Sequence, residues 1–380
     1  MVGAGMTRFG RLEGVGLLDL LVEAARKAMA DAGVEVVDHV FVGAMSTGMT
    51  CGLSAVASAL VDRLHLFPAA AERVENGPAS GGSALAAAVR SVASGSARVA
   101  LVVGGEKTTH LAGPDATSAV ATLTHPEVER PTGVTLPALA AMLARAYSAA
   151  HELSDHQRLK VAVKNHANGA LNPLAHFQRA ITLEQALSSP VVSDPLRLYD
   201  CCPLSDGAAA LVLAEPSVAG SLGRPAVEVA GVGQATDLHA YHERPDLLDF
   251  PAVRRAAETA FSRAGLGPGD VDVAELHDAF TILEIVQSEA CGFFPPGGGV
   301  AALESGVTSL EGDLPVNPSG GLKARGHPWG ATGVAQACEL YWQLTGQAGK
   351  RQVEGASVGF ACNFGGFGNN VVCHVFRGGE

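Results

Sequence analysis

Residues 74–90 read VENGPASGGSALAAAVR, and the rest of the chain is organised around this stretch. Its first residues have the composition of a turn, and the remainder is typical of an alanine-rich helix that ends near Ser94. Asn76 is a good helix N-cap, and Pro78 suits a first helical turn because its missing N–H would have no partner there. Small residues let other backbone approach a helix start, which directs free N–H groups forward. The stretch therefore predicts either a tightly packed buried helix or the helix of an active site.

Composition restricts the class of protein. A chain of 380 residues can bury a large core and divide into two domain-sized halves. No apolar run reaches the roughly 20 residues of a membrane span, and the net charge of −12 argues against a nucleic-acid surface. The seven cysteines lack a metal-binding spacing, and the first residues have no signal-peptide pattern. We therefore expect a soluble cytoplasmic protein with reduced thiols and no metal.

The two halves of the chain repeat one pattern. Residues 23–33 align without gaps on residues 255–265, and both segments have helical periodicity and end at a glycine. Five residues later an aspartate, Asp38 or Asp270, precedes a predicted strand. The start of the alanine-rich helix is matched by residues 331–333, which also begin a helix. Chance similarity of alanine-rich helices is one explanation; a duplication, with the two helix starts facing each other across a pseudo-twofold axis, is the other.

Other predicted elements surround these repeats. Continuous apolar runs predict buried strands at residues 40–43, 98–104, 211–213 and 227–231. Residues 108–190 are richer in His, Pro and Thr and predict an excursion of loops and helices. The helices expected in this excursion cover residues 136–150 and 155–169.

Three segments of the second half carry polar residues suited to catalysis. They are ELHDAF (residues 275–280), NPSGGLKARGHPWGATG (residues 317–333) and ACNFGGFG (residues 361–368). A histidine in a rigid glycine-rich loop can bind a substrate oxygen or take a proton. Exposed N–H groups of a glycine turn can hold an oxyanion. The sequence thus predicts one site built from these three segments.

These segments resemble the thiolase superfamily, and the resemblance covers essentially the whole chain. Matching motifs are GHPWGATG (residues 326–333), DCCPLSDGAAA (200–210), KNH (164–166) and NP (172–173). The HDAF motif stands where other thiolases have Asn-Glu-Ala-Phe, which is similar to the sterol-carrier-protein-x and archaeal branch. The resemblance implies an α/β thiolase fold, with two pseudo-duplicated halves in a five-layered αβαβα arrangement. It implies an N-terminal half at residues 1–215, with a loop domain inserted at about 108–190, and a C-terminal half at residues 216–380.

The alanine-rich helix departs from the family pattern. The family has Cys-x-Ser-Gly there, with the Cys as the acyl-accepting nucleophile, whereas this chain has Pro78 at the Cys position. Proline has no thiol and no N–H. In the family that N–H pairs with one from the C-terminal glycine turn, here Gly365 and Gly366, to hold the thioester oxyanion. Losing one such donor typically costs about 10²–10³ in rate, so we do not expect acyl transfer through an enzyme thioester at Pro78.

The resemblance implies roles for the other motif residues. His277 and His327 match the two positions that hold the thioester oxygen as it becomes an enolate, with a structural role as the alternative. Cys362 matches the second Cys of classical thiolases, which exchanges the proton at the substrate α-carbon; the alternative is a small buried apolar residue. Asp278 is expected to orient neighbours, and Ser80 is a candidate substitute nucleophile. Expected packing residues are Glu106, Cys201, Cys202 and Cys291.

A site that can stabilise an enolate but has no nucleophile to accept the acyl group predicts aldol or retro-aldol chemistry on an acyl-CoA or acyl-pantetheine thioester. We expect His327 or Cys362 as proton shuttle, and no cofactor beyond the coenzyme A of the substrate. Steroid side-chain aldolases also lack the nucleophilic Cys, although they use tyrosines where this chain has His277 and His327. The alternatives are an acyltransferase or condensing enzyme of unusual mechanism, and a non-catalytic acyl-CoA-binding subunit. The resemblance further implies a homodimer and a small zinc-ribbon/OB-fold acyl-CoA-binding partner protein.

Overall fold

Strands and helices alternate along most of the chain, and a computed structural model describes them for residues 1–379. The strands are β1 (Gly3–Met6), β2 (His39–Gly43), β3 (Ala70–Val74), β4 (Val99–Glu106), β5 (Val191–Ser193), β6 (Leu196–Arg197), β7 (Gly207–Ala214), β8 (Val227–Thr236), β9 (Val273–Glu275), β10 (Val358–Gly365) and β11 (Asn370–Gly378). The helices are α1 (Leu17–Ala32), α2 (Thr47–Cys51), α3 (Val56–Leu64), α4 (Ser80–Ala93), α5 (Gly113–Ala121), α6 (Leu136–His151), α7 (Asp155–Ala170), α8 (Leu183–Leu187), α9 (Pro216–Leu222), α10 (Pro251–Ala264), α11 (Thr281–Ala290), α12 (Gly298–Glu304), α13 (Gly321–Ala324) and α14 (Thr332–Leu344). Every helix in the described range is too short or too polar to cross a membrane.

The helices and the two large sheets stack in five layers. One sheet has the strand order β1-β7-β4-β2-β3, and the other has the order β8-β11-β10-β9. Helices α4 and α14 lie between the sheets. Helices α1 and α3 cover the outer face of the first sheet, and α10 and α11 cover the outer face of the second. The predicted five-layered αβαβα arrangement of two α/β halves is confirmed.

The two middle helices meet at their glycine-rich starts. A Cβ atom added at Gly81 would lie 2.6 Å from the Gly330 carbonyl oxygen, and one added at Gly333 would lie 2.2 Å from the Gly82 nitrogen. Both separations are shorter than real Cβ contacts, so the helices approach this closely only because the residues have no side chain. The helix starts therefore face each other, as the sequence repeat predicts.

Matching hydrogen bonds support the duplication and correct one part of it. Gly33 and Gly265 both end their helices in the left-handed conformation, with φ of 70° and 66°. The Asp38 carboxylate accepts two backbone N–H groups at the start of β4, and Asp272 does the same at the start of β10. The predicted equivalence of Asp38 with Asp270 is wrong, because Asp270 accepts a backbone N–H within its own turn. The second copy is thus two residues longer between glycine and aspartate.

Strand β3 is one of the two edge strands of the first sheet. Strand β3 pairs with β2 on one side only, and Ala70, Ala71 and Glu72 are exposed. Sequence reasoning misses this strand because it lacks the apolar run of a strand buried on both faces. Within residues 1–379 the second sheet has no matching strand, and residues 315–317 hydrogen-bond to Ala274 in its place.

Residues 108–190 form the predicted excursion of loops and helices. It holds α5 to α8, and α6 and α7 agree with the two helices expected there. Three side chains of α7 and its following loop donate to backbone carbonyl groups of the segment before α13: Lys164 to Val316, Asn168 to Asn317 and Asn172 to Ser319. The excursion therefore fixes the segment that leads to His327.

The turn before α4 differs from its prediction. The helix begins at Ser80, so Asn76 is not its N-cap and Pro78 lies outside its first turn. The Asn76 carbonyl accepts the Ala79 N–H, and Gly77 has a φ of +56°, which together form a tight turn. The Ser80 hydroxyl, inside the helix, accepts the Asn76 N–H from the preceding turn. In a conventional cap it is the side chain before the helix that accepts an N–H from inside it.

Candidate active site

Three loops converge on the start of α4, and each belongs to one of the motif segments. The loop after β9 carries His277, the loop before α14 carries His327, and the turn after β10 follows Gly365. The rings of His277 and His327 lie edge to face, with centroids 4.9 Å apart and planes at 89°. Their side chains are buried, with 3% and 6% of each residue exposed. The structure thus brings together the two histidines that the sequence analysis selects.

The hydrogen bonds of His277 define where its proton lies. Its Nδ1 atom accepts from the Phe364 backbone N–H at 3.3 Å and from the Asn363 amide at 3.1 Å. Two donors at Nδ1 assign the ring proton to Nε2. Burial, then the nearby His327 and Arg325, hold the pKa of this ring well below its usual value. His277 is therefore neutral at pH 7, and its Nε2 is an N–H donor.

His327 has the opposite proton arrangement. Its Nδ1 atom lies 2.7 Å from the Thr332 hydroxyl, which donates its own proton to the Pro328 carbonyl at 3.0 Å. That hydroxyl therefore accepts a hydrogen bond from Nδ1–H, which leaves a lone pair on Nε2. Burial, with a contribution from Arg325, lowers the pKa of His327 to about 3. The Nε2 atom of this neutral ring is a hydrogen-bond acceptor that can take a proton, and the lowered pKa makes it a weaker base than a free imidazole.

The two histidines therefore offer one donor and one base side by side. A thioester oxygen can accept a hydrogen bond from His277, and a substrate hydroxyl can give its proton to His327. The resemblance implied that both rings hold the same oxygen. Because the Nδ1 atoms have different partners, Nε2 carries a proton in His277 and carries none in His327.

Asn363 connects His277 to the start of α4, and sequence reasoning misses it. Its amide nitrogen donates to the Pro78 carbonyl at 3.3 Å as well as to His277, and its oxygen accepts the Gly82 N–H at 3.2 Å. A Cβ at Gly333 would lie 2.3 Å from that oxygen, so the amide fills the space between the middle helices. The sequence signal that could have found Asn363 is strand alternation. Side chains of neighbouring strand residues point to opposite faces, so Asn363 is a polar side chain on the inner face of an otherwise apolar strand.

Cys362 lies on the other face of the same strand, and this position argues against its predicted role as a proton shuttle. Its side chain belongs to the same outer core as Cys291 and Cys373, which α10 and α11 cover. Neighbouring side chains of a strand point to opposite faces, so Cys362 points away from α4 whereas Asn363 points towards it. The residue is fully buried, which fits its alternative interpretation as a small core residue.

Pro78 and Ser80 supply no nucleophile at the helix start. Pro78 is buried, and its carbonyl, which is its only backbone hydrogen-bonding group, accepts from Asn363. The Ser80 hydroxyl donates to the Gly77 carbonyl at 2.5 Å and accepts the Asn76 N–H at 2.9 Å. Because the turn uses both functions of this hydroxyl, the geometry argues against Ser80 as a substitute nucleophile.

The glycine turn after β10 packs against the turn before α4. A Cβ at Gly365 would lie 2.6 Å from the Asn76 carbonyl oxygen, and Gly366 has a φ of +60°. The Gly366 nitrogen lies 3.6 Å from the position of a Cβ on Gly77. Both glycines therefore lie beside the helix start. Oxyanion binding by their N–H groups stays a prediction.

Asp278 has the contacts of a supporting residue. Its carboxylate accepts two backbone N–H groups at the start of α13, at 2.6 and 3.2 Å, and the Asn165 amide at 2.7 Å. Burial, followed by the neighbouring Glu284 carboxylate, raises the pKa of Asp278 to about 6. The residue thereby joins the loop after β9 to α13 and α7.

The remaining singled-out residues hold the surrounding loops in place. Glu106 accepts the backbone N–H groups of Met45, Ser46 and Gly330 and the Ser46 hydroxyl, at 2.8 to 3.1 Å. It thereby joins the first half of the chain to the loop that carries His327, and burial raises the pKa of its carboxyl. The Cys201 carbonyl accepts from the buried Lys323 ammonium, and Cys202 follows in the same segment.

The five-layered fold with a buried histidine pair defines a duplicated α/β enzyme, and comparison with known proteins identifies its family. Residues 1–217 match the family described as thiolase, N-terminal domain. Residues 233–378 match the family described as thiolase C-terminal domain-like. The chain belongs to the thiolase superfamily and is an enzyme of that superfamily.

The relatives include a protein named as an acetyltransferase and a solved structure named as an aldolase. An acetyl-CoA acetyltransferase of Methanothermobacter thermautotrophicus is 44% identical over 99% of this chain and 98% of its own length. Sterol carrier protein 2 of Gallus gallus is 34% identical over 100% of this chain and 71% of its own length. The solved Ltp2-ChsH2(DUF35) aldolase has a TM-score of 0.84 at 25% identity, covering 99% of this chain and 97% of that one. The resemblance to the sterol-carrier-protein-x and archaeal branch is thus confirmed.

Proposed function

We propose that the protein makes or breaks a carbon–carbon bond next to the carbonyl group of an acyl-CoA thioester, without an acyl-enzyme. The observation that carries this proposal is the buried pair of His277, a donor, and His327, a base, beside Pro78 at the nucleophile position. Enolate chemistry needs the donor and the base and needs no nucleophile. Similarity to a solved aldolase supports the lyase direction.

In the cleavage direction, His327 Nε2 takes the proton of the substrate's 3-hydroxyl group. The electron pair of that O–H bond forms the new carbonyl bond, the C2–C3 bond breaks, and its electrons enter the thioester as an enolate. His277 Nε2–H holds the enolate oxygen. The proton on His327 then goes to C2, which yields a shortened acyl-CoA and an aldehyde or ketone. Both rings return to their neutral state.

We assign the thioester arm of the substrate to an apolar cavity of about 400 Å³. Helix α5, residues 135–137 and Leu204 line this cavity, so most of its wall comes from the excursion at residues 108–190. Leu204 pairs with His327 through a β-bridge, which brings the cavity next to the histidine pair. A narrow apolar cavity suits the pantetheine part of coenzyme A.

An acyltransferase or condensing enzyme is the second candidate. The 44% identity to an acetyl-CoA acetyltransferase favours it. Since the helix start offers no thiol, such an enzyme would transfer the acyl group directly between two bound substrates. Isotope-labelled free CoA separates the candidates, because only the transferase incorporates the label into acyl-CoA.

The test is incubation of the purified protein with secondary and tertiary 3-hydroxyacyl-CoA substrates, followed by mass spectrometry of small molecules and of the intact protein. We expect a shorter acyl-CoA and a carbonyl compound in equal amounts, without uptake of labelled CoA. His327→Gln should reduce cleavage by about 10²-fold or more, whereas Cys362→Ser on the outer face should stay close to wild type. A stable acyl-protein adduct would contradict the proposal.

We further propose two partners for this chain, a second copy of itself and a small acyl-CoA-binding protein. The free edge of β3 supports the homodimer, because an exposed strand edge pairs readily with another strand. The related solved aldolase carries two protein names, Ltp2 and ChsH2(DUF35), which supports a second subunit. For that subunit we propose the zinc ribbon and OB fold that the sequence resemblance implies. Cleavage that appears only on co-expression with such a subunit would establish the requirement.

A further inference from the structure

A buried ion pair joins the two segments that carry the histidines. Arg325 stands two residues before His327, and Glu275 stands two residues before His277. Arg325 Nη1 lies 2.8 Å from Glu275 Oε2, and the two residues are 1% and 0% exposed. The proposed mechanism uses neither side chain, although each is only two residues from a ring that it does use.

Ser319 completes the link between the two segments. Its N–H and its hydroxyl donate to the Glu275 carboxylate at 3.2 and 2.9 Å, and the hydroxyl oxygen accepts from Arg325 Nη1 at 3.0 Å. Hydrogen bonds to charged groups are stronger than those between neutral groups. A shift of one histidine segment relative to the other would therefore break strong bonds in a buried place.

The charge of Arg325 is only partly compensated. Its Nε and Nη2 atoms have no hydrogen-bond partner among residues 1–379. Burial raises the pKa of Glu275 to about 7 despite the Arg325 cation, so at neutral pH the carboxylate cancels only part of that cation. Glu339 of α14, whose charge also acts on Glu275, is itself paired with Arg351 at 2.8 Å. A surplus of positive charge is thus left close to the histidine segments.

We infer that Arg325 is a positioning residue for the histidine pair: its bond to Glu275 holds the two segments together, and its surplus charge disfavours a further positive charge on either ring. The inference rests on the proposed function, which needs both rings neutral before the reaction. Burial is the main cause of the lowered pKa of His277 and of His327, and Arg325 contributes to each. The same charge stabilises the enolate as it forms, and it makes protonated His327 a stronger acid towards C2.

The experiment compares Arg325→Gln and Arg325→Lys with the wild type. Glutamine removes the charge, whereas lysine keeps a charge without the guanidinium fork. With a 3-hydroxyacyl-CoA substrate, Arg325→Gln should lower kcat by about 10²-fold with little change in KM, and Arg325→Lys should recover about tenfold of that loss. Loss of the cation raises the pKa of His327, so the acidic limb of the pH profile of kcat should move to higher pH in Arg325→Gln.

A second readout needs no catalysis. In protein labelled at the histidine ring carbons, the NMR signals of His277 and His327 are identified by their loss in His277→Gln and His327→Gln. Because the rings lie edge to face at 4.9 Å, each ring shifts the signals of the other. Both signals should move in folded Arg325→Gln protein at pH 7 and should return towards their wild-type positions in Arg325→Lys.

The matched control is Arg351→Gln. Arg351 is 5% exposed and pairs with the buried Glu339, so this substitution also breaks a buried ion pair. It should destabilise the protein by a similar amount. The histidine signals and kcat should nevertheless stay near their wild-type values. Equal effects of Arg325→Gln and Arg351→Gln on the histidine signals would overturn the inference.

Glu275→Gln covers the case in which Arg325→Gln fails to fold, because it preserves the size of the side chain and leaves Arg325 in place. Its amide oxygen can still accept from Arg325, while the surplus of positive charge stays the same or grows. The acidic limb of kcat should therefore not move to higher pH. A move to higher pH in Glu275→Gln would contradict the charge role of Arg325.

The positioning role and the proposed function can fail separately. Suppose the histidine signals depend on Arg325, but no 3-hydroxyacyl-CoA is cleaved. The positioning role then stands and the lyase function fails. Suppose instead that cleavage occurs, and that Arg325→Gln changes neither kcat nor the signals. The lyase function then stands and the positioning role fails.

Discussion

Asn363 decides which nitrogen of His277 carries the proton. An aspartate at this position would accept a proton from Nδ1 and so remove the N–H from Nε2, where the enolate oxygen is to be held. Asn363→Asp is therefore expected to lower kcat by about 10²-fold or more, with little change in KM. The new carboxylate beside the ring should also add a titration to the pH profile of kcat, which a merely structural defect would not.

The matched control for that substitution is Cys362→Ser, one residue earlier on the opposite face of β10. It exchanges one buried thiol for a hydroxyl and touches neither histidine, so kcat should remain near the wild-type value. Wild-type kcat in Asn363→Asp would refute the positioning role of the amide.

Acid should destabilise the fold through its buried neutral histidines. The pKa of His327 is about 3 in the folded protein against an ordinary 6.5, so below pH 6.5 the unfolded chain binds more protons than the folded one. The stability that depends on the neutral ring is thus complete above pH 6.5 and falls as pH drops towards 3. His327→Gln should reduce the slope of unfolding free energy against pH by up to about 1.4 kcal/mol per pH unit.

Urea unfolding of wild type and variant at several pH values below 6.5 measures this difference. Only the difference between wild type and His327→Gln is diagnostic, because buried carboxyl groups change the unfolding free energy with pH in the opposite direction. The pKa of Glu275 is raised to about 7 and that of Asp278 to about 6, so their contribution is lost as pH rises. Parallel curves for the two proteins would contradict the neutral state assigned to His327.

Among the elements, the crossing of α4 and α14 leaves no room for an added atom. A methyl group at Gly333 would lie 2.2 Å from the Gly82 nitrogen, so Gly333→Ala must push two buried helices apart. We expect a loss of more than about 2 kcal/mol in unfolding free energy, measured by urea denaturation. The control is Gly220→Ala in α9, where a methyl group meets nothing within 4 Å and should stabilise by up to about 1 kcal/mol.

Sequence reasoning was accurate for elements whose pattern is local and buried. The periodicity that ends at Gly33 and the apolar run of β4 each follow from one stretch of chain, and both agree with the structure. Strand β3 was missed because its residues are exposed and its pairing is not local. The N-cap placed at Asn76 was wrong because the chain turns tightly at Gly77 and the helix begins only at Ser80.

The candidate site was predictable to a similar extent. His327 was recognisable because a glycine-rich loop carries it, and His277 because its HDAF segment resembles a thiolase motif; the two do lie together. The face of Cys362 and the contacts of the Asn363 amide depend on strand register and on contacts between halves, which no single segment records. Likewise, the proton positions on the two rings depend on Phe364 and Thr332, partners that only the folded chain supplies.

For the whole molecule, the free edge of β3 predicts the oligomeric state. If two copies pair along this edge, a carboxylate added at Ala71, next to the exposed Glu72, should place like charges opposite each other. Ala71→Glu should therefore shift the particle from the mass of a dimer to that of a monomer in light scattering. Ser58→Glu on the exposed face of α3 is the control and should stay dimeric. A monomeric wild type would refute the predicted homodimer.

The middle layer also bears on how the protein unfolds. Helix α14 comes from the second half of the chain but packs on β7 and β4 of the first sheet, and one hydrophobic cluster contains side chains from both halves. If one half melted, the other would lose part of its interior, so neither has a stable intermediate of its own. Calorimetry should therefore record a single endotherm, and two resolved transitions would contradict this. A single endotherm would mean that a duplication of two equivalent units has produced one cooperative unit.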